Sequence, residues 1–382
     1  MKKLTESRRK WFRIRAHRQA KSAVRRSRVP GMKRGNHTVR IWDGAHEEIV
    51  VSERPAKGMP SKLCFAENLA ETVSWFAAMR RRFLSGNHRS KVWVRRAKDG
   101  RLRSMRSYAD FAALKEISTA AALVMAAEYD RVRELVGSVP PAVNIHKWDG
   151  RILRKLFDLG FFETVGLREE NVEPYVGGND MVMTQRFFSG RNTADTVVAH
   201  ERLRRLWTFL EPERLMPKDV SVSLMSAISE AMGNVARHAY HPDEKLLYPH
   251  VGKWWMTGEA DRNARVLKMV IFDQGATIPV TYRKQTITGE AISLIEAQTD
   301  ARHLFSKDGR IIEAAARFGD ESKHGNGMAQ MKQAIDIAGA GRLRILSRGG
   351  EYLYENRRER SKAHPASVGG TLIEWEVQLP AE

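Results

Sequence analysis

Between residues 219 and 240 the chain writes two opposed faces on one helical period, and this pattern restricts what the surrounding fold can be. At about 100° per residue, Leu224, Met225, Ile228, Ala231, Met232, Val235 and Ala239 fall on one broad arc. Glu230, Asn234 and His238 fall on the opposite arc at i, i+4 and i+8, with Ser223 and Ser226 beside them. One face packs on a core, while a carboxylate, an amide and an imidazole line up on the other. Taken alone, this is an ordinary amphipathic helix with a solvated polar face. The segments downstream narrow the reading. Residues 266–272 read as a buried strand that ends in Asp273-Gln274-Gly275-Ala276-Thr277-Ile278-Pro279. An Asp at a strand end, followed by Gly, sets a carboxylate where a ligand can approach the backbone. Further on, Lys323-His324-Gly325-Asn326-Gly327-Met328 opens a helix running towards Ile337. Glycines at a helix N-terminus expose backbone N–H groups that can cradle phosphate. The chain closes with Gly369-Gly370-Thr371 and a strand in which Ile373, Trp375, Val377 and Leu379 alternate with Glu374, Glu376 and Gln378. That alternation predicts an antiparallel strand with one covered face.

In this order the four elements resemble the GHKL ATPase domain, which gyrase-like ATPases, histidine kinases and anti-sigma serine kinases share. The resemblance covers residues 180–382. Glu230, Asn234 and His238 look like the family's N box; Asp273, Gly275 and Ile278 look like its G1 box; Gly325, Gly327 and Met328 look like its G2 box; and Gly370-Thr371 looks like its terminal strand signature. The G1 box usually carries a second glycine where this chain has Thr277. The resemblance implies an α+β fold, a two-layer sandwich of helices on a mixed, mostly antiparallel sheet (the Bergerat fold), that binds ATP with Mg²⁺. It implies that Asp273 accepts from the adenine amino group, with Thr371 supporting that carboxylate directly or through water. Asn234 would be the Mg²⁺ ligand, Glu230 the catalytic general base, and Gly325 and Gly327 the points where backbone nears phosphate. Gly275, Ile278 and Met328 would complete the nucleotide site. Residues 280–323, long and polar, would form a mobile lid, from whose end Lys323 and His324 reach a phosphate.

The second segment, residues 61–167, is more weakly patterned. It predicts helices over 75–83, 119–135 and 149–159, the last ending at Gly160, and strands at 91–94 and 142–145. Its part from Tyr108 to Leu167 resembles the STAS domain of anti-sigma-factor antagonists. In that family a Ser or Thr at a helix start is phosphorylated, and Ser118 or Thr119 holds the matching place. Simple N-capping explains the same residues. A polar stretch at 168–179, with Pro174 and Gly177-Gly178, reads as a hinge.

Charge separates the first segment from the rest. Residues 1–40 carry fifteen Lys or Arg against the single acid Glu6, which is +14 of the chain's net +20. Residues 1–55 therefore read as a basic arm with one strand-like stretch, Glu47-Glu48-Ile49-Val50-Val51. Such an arm is attracted to DNA, RNA or other polyanions. One cysteine, Cys64, excludes an internal disulfide or a cysteine-based zinc site. The lack of a long apolar run and the basic, polar start argue against a membrane span or a signal peptide and predict a cytoplasmic protein. Three functions fit: an ATP-hydrolysing or Ser/Thr-phosphorylating regulator of the anti-sigma type, acting on a STAS or other regulatory partner; a non-catalytic nucleotide sensor; or an ATP-driven protein that binds nucleic acid through residues 1–40. A homodimer is compatible with each. A histidine kinase fits less well, because His200-Glu201 lies in 197–210, which reads as the first helix of the ATP domain itself.

Overall fold

The computed structural model describes residues 37–43, 46–52, 59–84, 92–96, 102–105, 108–137, 139–178, 180–244, 246, 248–285, 287–297, 304–319 and 327–379. The basic arm up to residue 36, and Lys323, His324 and Gly325, lie outside the described residues. The first sheet opens with a hairpin of β1 (His37–Asp43) and β2 (His46–Ser52). The short β3 (Lys62–Leu63) and the helix α1 (Leu69–Leu84) follow. Next, β4 (Val92–Arg96) and β5 (Leu102–Met105) extend the hairpin on its β2 side. On the other side, β1 pairs antiparallel with a later strand that is itself parallel to β6 (Ala109–Asp110). The sheet of the second segment thus begins at His37. Residues 37–52, read from the sequence with the arm, belong to it through strand pairing.

After β7 (Glu116–Ile117), which pairs in parallel with β3, the chain crosses over through α2 (Thr119–Val136) and returns as β8 (Ala142–Val143). The Ser118 hydroxyl accepts the Ala121 N–H at 3.2 Å and starts the helix, and Gly137, at φ 73°, ends it with its N–H on the Arg133 carbonyl. Every residue from Thr119 to Val132 is buried. A helix buried on all sides needs cover on all sides, and α2 has it. On one side a chain of ring contacts runs from Phe83 through Tyr129 and Phe161 to Phe111 and Trp148. Of these rings Trp148 stands just before α3 (Gly150–Asp158), and Phe161 opens α4 (Phe161–Thr164). On the other side α2 lies on the second sheet.

The second sheet has eight strands, all antiparallel. After α5 (Glu169–Val172) come β9 (Val182–Thr184) and β10 (Phe188–Gly190), both pairing with the same later strand. Then follow α6 (Thr196–Leu210), α7 (Lys218–Asn234), β11 (Trp254–Asp261) and β12 (Val266–Asp273). The short α8 (Ile278–Thr281), α9 (Gly289–Glu296), α10 (Asp308–Phe318) and α11 (Gly327–Ala338) lead to β13 (Gly341–Ser347), β14 (Gly350–Glu355), β15 (Arg358–Ala363) and β16 (Thr371–Gln378). The strand order is β10-β11-β12-β16-β13-β14-β15, with β9 also on β11. Its front face packs against α6, α7 and α11 in a core that includes Leu203, Leu224, Ile228, Met331, Ile373 and Trp375.

The back face is also covered, which changes two sequence expectations. Trp255, Val270, Phe272, Leu346 and Leu372 belong to one core with α1, α2 and α4. In β16 Leu372 and Glu374 are therefore buried along with Ile373 and Trp375, where the alternation predicted one open face. The stretch 168–179 does not separate two bodies either: Val172 is fully buried, and Gly177 lies backbone to backbone with Gly150.

This shared core predicts cooperative unfolding. Ala127 is fully buried where α2 meets the sheet. Ala127→Leu overpacks it and should cost about 1–3 kcal/mol. Urea denaturation, followed by tryptophan fluorescence and by circular dichroism, should give one transition moved to lower urea. Two transitions of which only one moves would show that the halves fold separately.

Candidate functional site

The front of the second sheet holds a cavity of about 280 Å³. It is walled by α7, the ends of β12 and β16, α8, and the starting turn of α11. Helix α7 buries Leu224, Ile228, Ala231 and Met232 and turns Glu230 and Asn234 to the cavity, as its two-faced period predicts. The helix then widens into a π turn, Val235–Ala239, which lets Arg237 and His238 reach the same wall.

Three strand ends meet in register. Asp273 on β12 faces Thr371 on β16, and Thr371 faces Ser347 on β13. The Asp273 side chain accepts the Gly275 N–H at 2.8 Å and the Thr371 N–H as well. The Thr371 hydroxyl pairs instead with the Ser347 hydroxyl at 2.9 Å, and the Ile278 N–H donates to the same Ser347 oxygen at 2.9 Å. The expected support of Asp273 by Thr371 therefore comes from backbone rather than hydroxyl. Two glycines make the packing feasible. A side chain at Gly275 would strike the Ala239 carbonyl, and one at Gly370 would strike the Asp273 carbonyl. The Ala276 N–H also donates to Ala239 oxygen, at 2.6 Å, so the π turn and the strand end are locked together. Thr277, which stands where the resemblance has a second glycine, sits at φ −93°, a conformation open to any residue.

The carboxyl of Asp273 is buried, and burial pushes its pKa up to about 7, against the pull of the two N–H donors. Across the cavity Arg237 donates to Glu230 at 2.8 Å and to Asn234 at 3.0 Å. Gly327, at the start of α11, lies so close to the Glu230 carboxylate that a Cβ would collide with it. The cavity thus brings together Glu230, Asn234, Asp273, Ile278, Gly327, Met328 and Thr371 from the sequence-derived set. Gly275 stands behind the turn, and Gly325 lies outside the described residues. The segment expected to form a lid is not polar throughout. Within it α10 buries Ile311, Ile312 and Ala314, and its Asp308 is clamped by Arg348 and the Gly349 N–H.

Sequence reasoning missed Arg237 and Ser347. Arg237 was within reach, being seven residues after Glu230 and so on the same helical face. Ser347 had no local signal, because only strand register brings it to Thr371. At the other candidate place, Ser118 is engaged as the N-cap of α2 and Thr119 is buried. Among the described residues no group of three His, Cys, Asp or Glu could hold a metal, and no helix is long and apolar enough to cross a membrane. The chain matches no protein-family model, and no curated protein matches it.

The raised Asp273 pKa has a stability consequence. Between about pH 4, where the unfolded carboxyl ionises, and about pH 7, the folded chain keeps a proton that the unfolded chain has lost. Stability from the neutral form is therefore present at low pH and lost as pH rises towards 7. Asp273→Asn, neutral throughout, should raise stability at pH 8 by on the order of 1–2 kcal/mol, read as a higher melting temperature, with a smaller gain at pH 5. An equal shift at both pH values would mean that the carboxyl is not desolvated.

Proposed function

We propose that this chain is an adenine-nucleotide-binding regulator of the GHKL type, with the Bergerat arrangement in residues 180–382. What carries the reading is the convergence of four separate segments on one cavity, with a buried carboxylate at one end and an amide beside a carboxylate at the other. Asp273 accepts from the adenine amino group, and its two backbone donors keep its oxygens aimed. Asn234 offers the amide oxygen suited to Mg²⁺, a hard cation that takes few protein ligands and retains phosphate oxygens and waters. That oxygen already accepts from a cation, the guanidinium of Arg237. Bound there, Mg²⁺ would offset phosphate charge. Arg237 holds Glu230 and Asn234 together and is free to turn to a phosphate when they are engaged. Glu230, beside the backbone of Gly327, takes a proton from water or from a Ser or Thr hydroxyl of a protein acceptor. Regulation of a STAS-type or other protein partner is what the anti-sigma resemblance implies, and the separate STAS resemblance of residues 108–167 would put a related segment in cis.

The experiment is calorimetry with ATP and Mg²⁺, paired with γ-labelled ATP. Asp273→Asn should weaken ATP binding by about 1.5–3 kcal/mol, roughly ten- to a hundredfold. Glu230→Ala should still bind but release or transfer no label. Unchanged affinity in the first variant removes Asp273 from the site, and wild-type turnover in the second removes the general base.

The basic arm supports a separate, electrostatic role, contact with nucleic acid. Removing residues 1–36, which leaves β1 intact, should flatten the salt dependence of DNA or RNA binding, since fewer counterions are released. An unchanged slope would assign any binding to the body of the protein.

A further inference from the structure

Two turns carry the adenine end of the cavity, and both are gripped from behind by the helices of the first segment. Arg80 on α1 is buried, with 2 % of its surface exposed. Its Nε donates to Glu128 Oε1 of α2 at 2.6 Å, and its Nη2 donates to the Val368 carbonyl. Glu128 is paired on its other oxygen by Arg131. The Arg80 guanidinium lies on Gly369, at φ 88°, where any side chain would strike it. Gly369 leads directly to Gly370, packed on the Asp273 carbonyl, and to Thr371, whose N–H holds the Asp273 carboxylate. The second grip is Gln274, next to Asp273, whose amide donates to the Ala127 carbonyl of α2 at 3.3 Å.

Stability alone does not call for this arrangement. A buried guanidinium is costly to desolvate, and an apolar side chain of similar volume often serves a core as well or better. What an apolar side chain lacks is a donor aimed at a backbone carbonyl of the 368–370 turn. We propose that Arg80 is a positioning residue for the nucleotide cavity, through which the first segment sets nucleotide affinity. The proposal rests on the reading that this cavity takes an adenine nucleotide. Arg80 touches no substrate; it fixes the turn that aims Asp273. A rearrangement of α1 against α2 then loosens the 368–370 turn and lowers affinity, and by reciprocity bound nucleotide tightens the packing of α1.

The test uses the full chain and ATP with Mg²⁺, with affinity by calorimetry and stability by thermal melt. Arg80→Met should lose ATP affinity by about fivefold or more. Leu156→Ala, a cavity in the same core away from both turns, should lose as much melting temperature and keep affinity within about twofold. Arg80→Lys keeps the charge and the Glu128 partner and guards against misfolding of the Met variant. It should retain the fold and recover part of the affinity. Wild-type affinity in Arg80→Met, or in Arg80→Lys together with a misfolded Met variant, overturns the inference. Equal loss in Leu156→Ala also overturns it, because the effect is then only structural. If the wild-type chain binds no ATP, the nucleotide reading fails first, and the inference falls with it.

Discussion

Asp273 sits at a strand end where two neighbours have no side chain, and the rest of the site is arranged around that contact. Gly275 lets the π turn after α7 press its Ala239 carbonyl onto the strand end, and Gly370 lets β16 close over the Asp273 backbone. The resulting pocket excludes water from a carboxyl group and supplies only two N–H donors in return. Such a placement is unfavourable for the isolated fold. Costs of this kind gather at sites that serve a ligand, where stability is traded for function. The distance between the buried carboxyl and the Glu230–Asn234–Arg237 group is then set by α7, which is rigid because its other face is core.

The sheet that carries this contact is closed on both sides. Its front is covered by α6, α7 and α11, and its back by the first segment through α2. The back cover also explains why polar groups are buried there in pairs. Trp255 donates to Asp130 at 2.9 Å, and Arg80 and Arg131 share Glu128. Trp255 meets Asp130 of α2, Arg80 meets the Val368 carbonyl and Gln274 meets the Ala127 carbonyl, so the two segments hold each other in one register. The turns at 273–275 and 368–370 are part of that register rather than loops outside it.

Much of the site was legible because its chemistry is written on regular periods. The spacing of Glu230 and Asn234 is a helical period, and the end of β12 at Asp273 is the end of an apolar run. Gly275, Gly327 and Gly370 fall where backbone comes close to other atoms, which is what glycine at a strand end or helix start suggested. Less legible was whatever depends on a second surface. Alternation in β16 gives the face of the strand but not whether another layer covers it, so Glu374 was placed on the uncovered face. The hairpin of β1 and β2 joins the sheet through a two-residue strand, Ala142–Val143, far away in sequence. Residues 280–323 read as polar on average, and the average hid the buried face of α10. Arg80 and Ser347 carry no local signature at all, since their roles come from packing between distant segments.

The central claim is that Asp273 reads a hydrogen-bond donor on a purine. Comparing ATP with inosine triphosphate tests that contact, because the amino donor at the purine 6-position is replaced by a carbonyl acceptor while N1 gains a hydrogen. Calorimetric titration of the full chain at pH 8 with Mg²⁺ should give ATP binding tighter by about tenfold or more, the loss expected when a buried acceptor is left unpaired. Equal affinity for the two nucleotides, or binding of neither, would contradict the account.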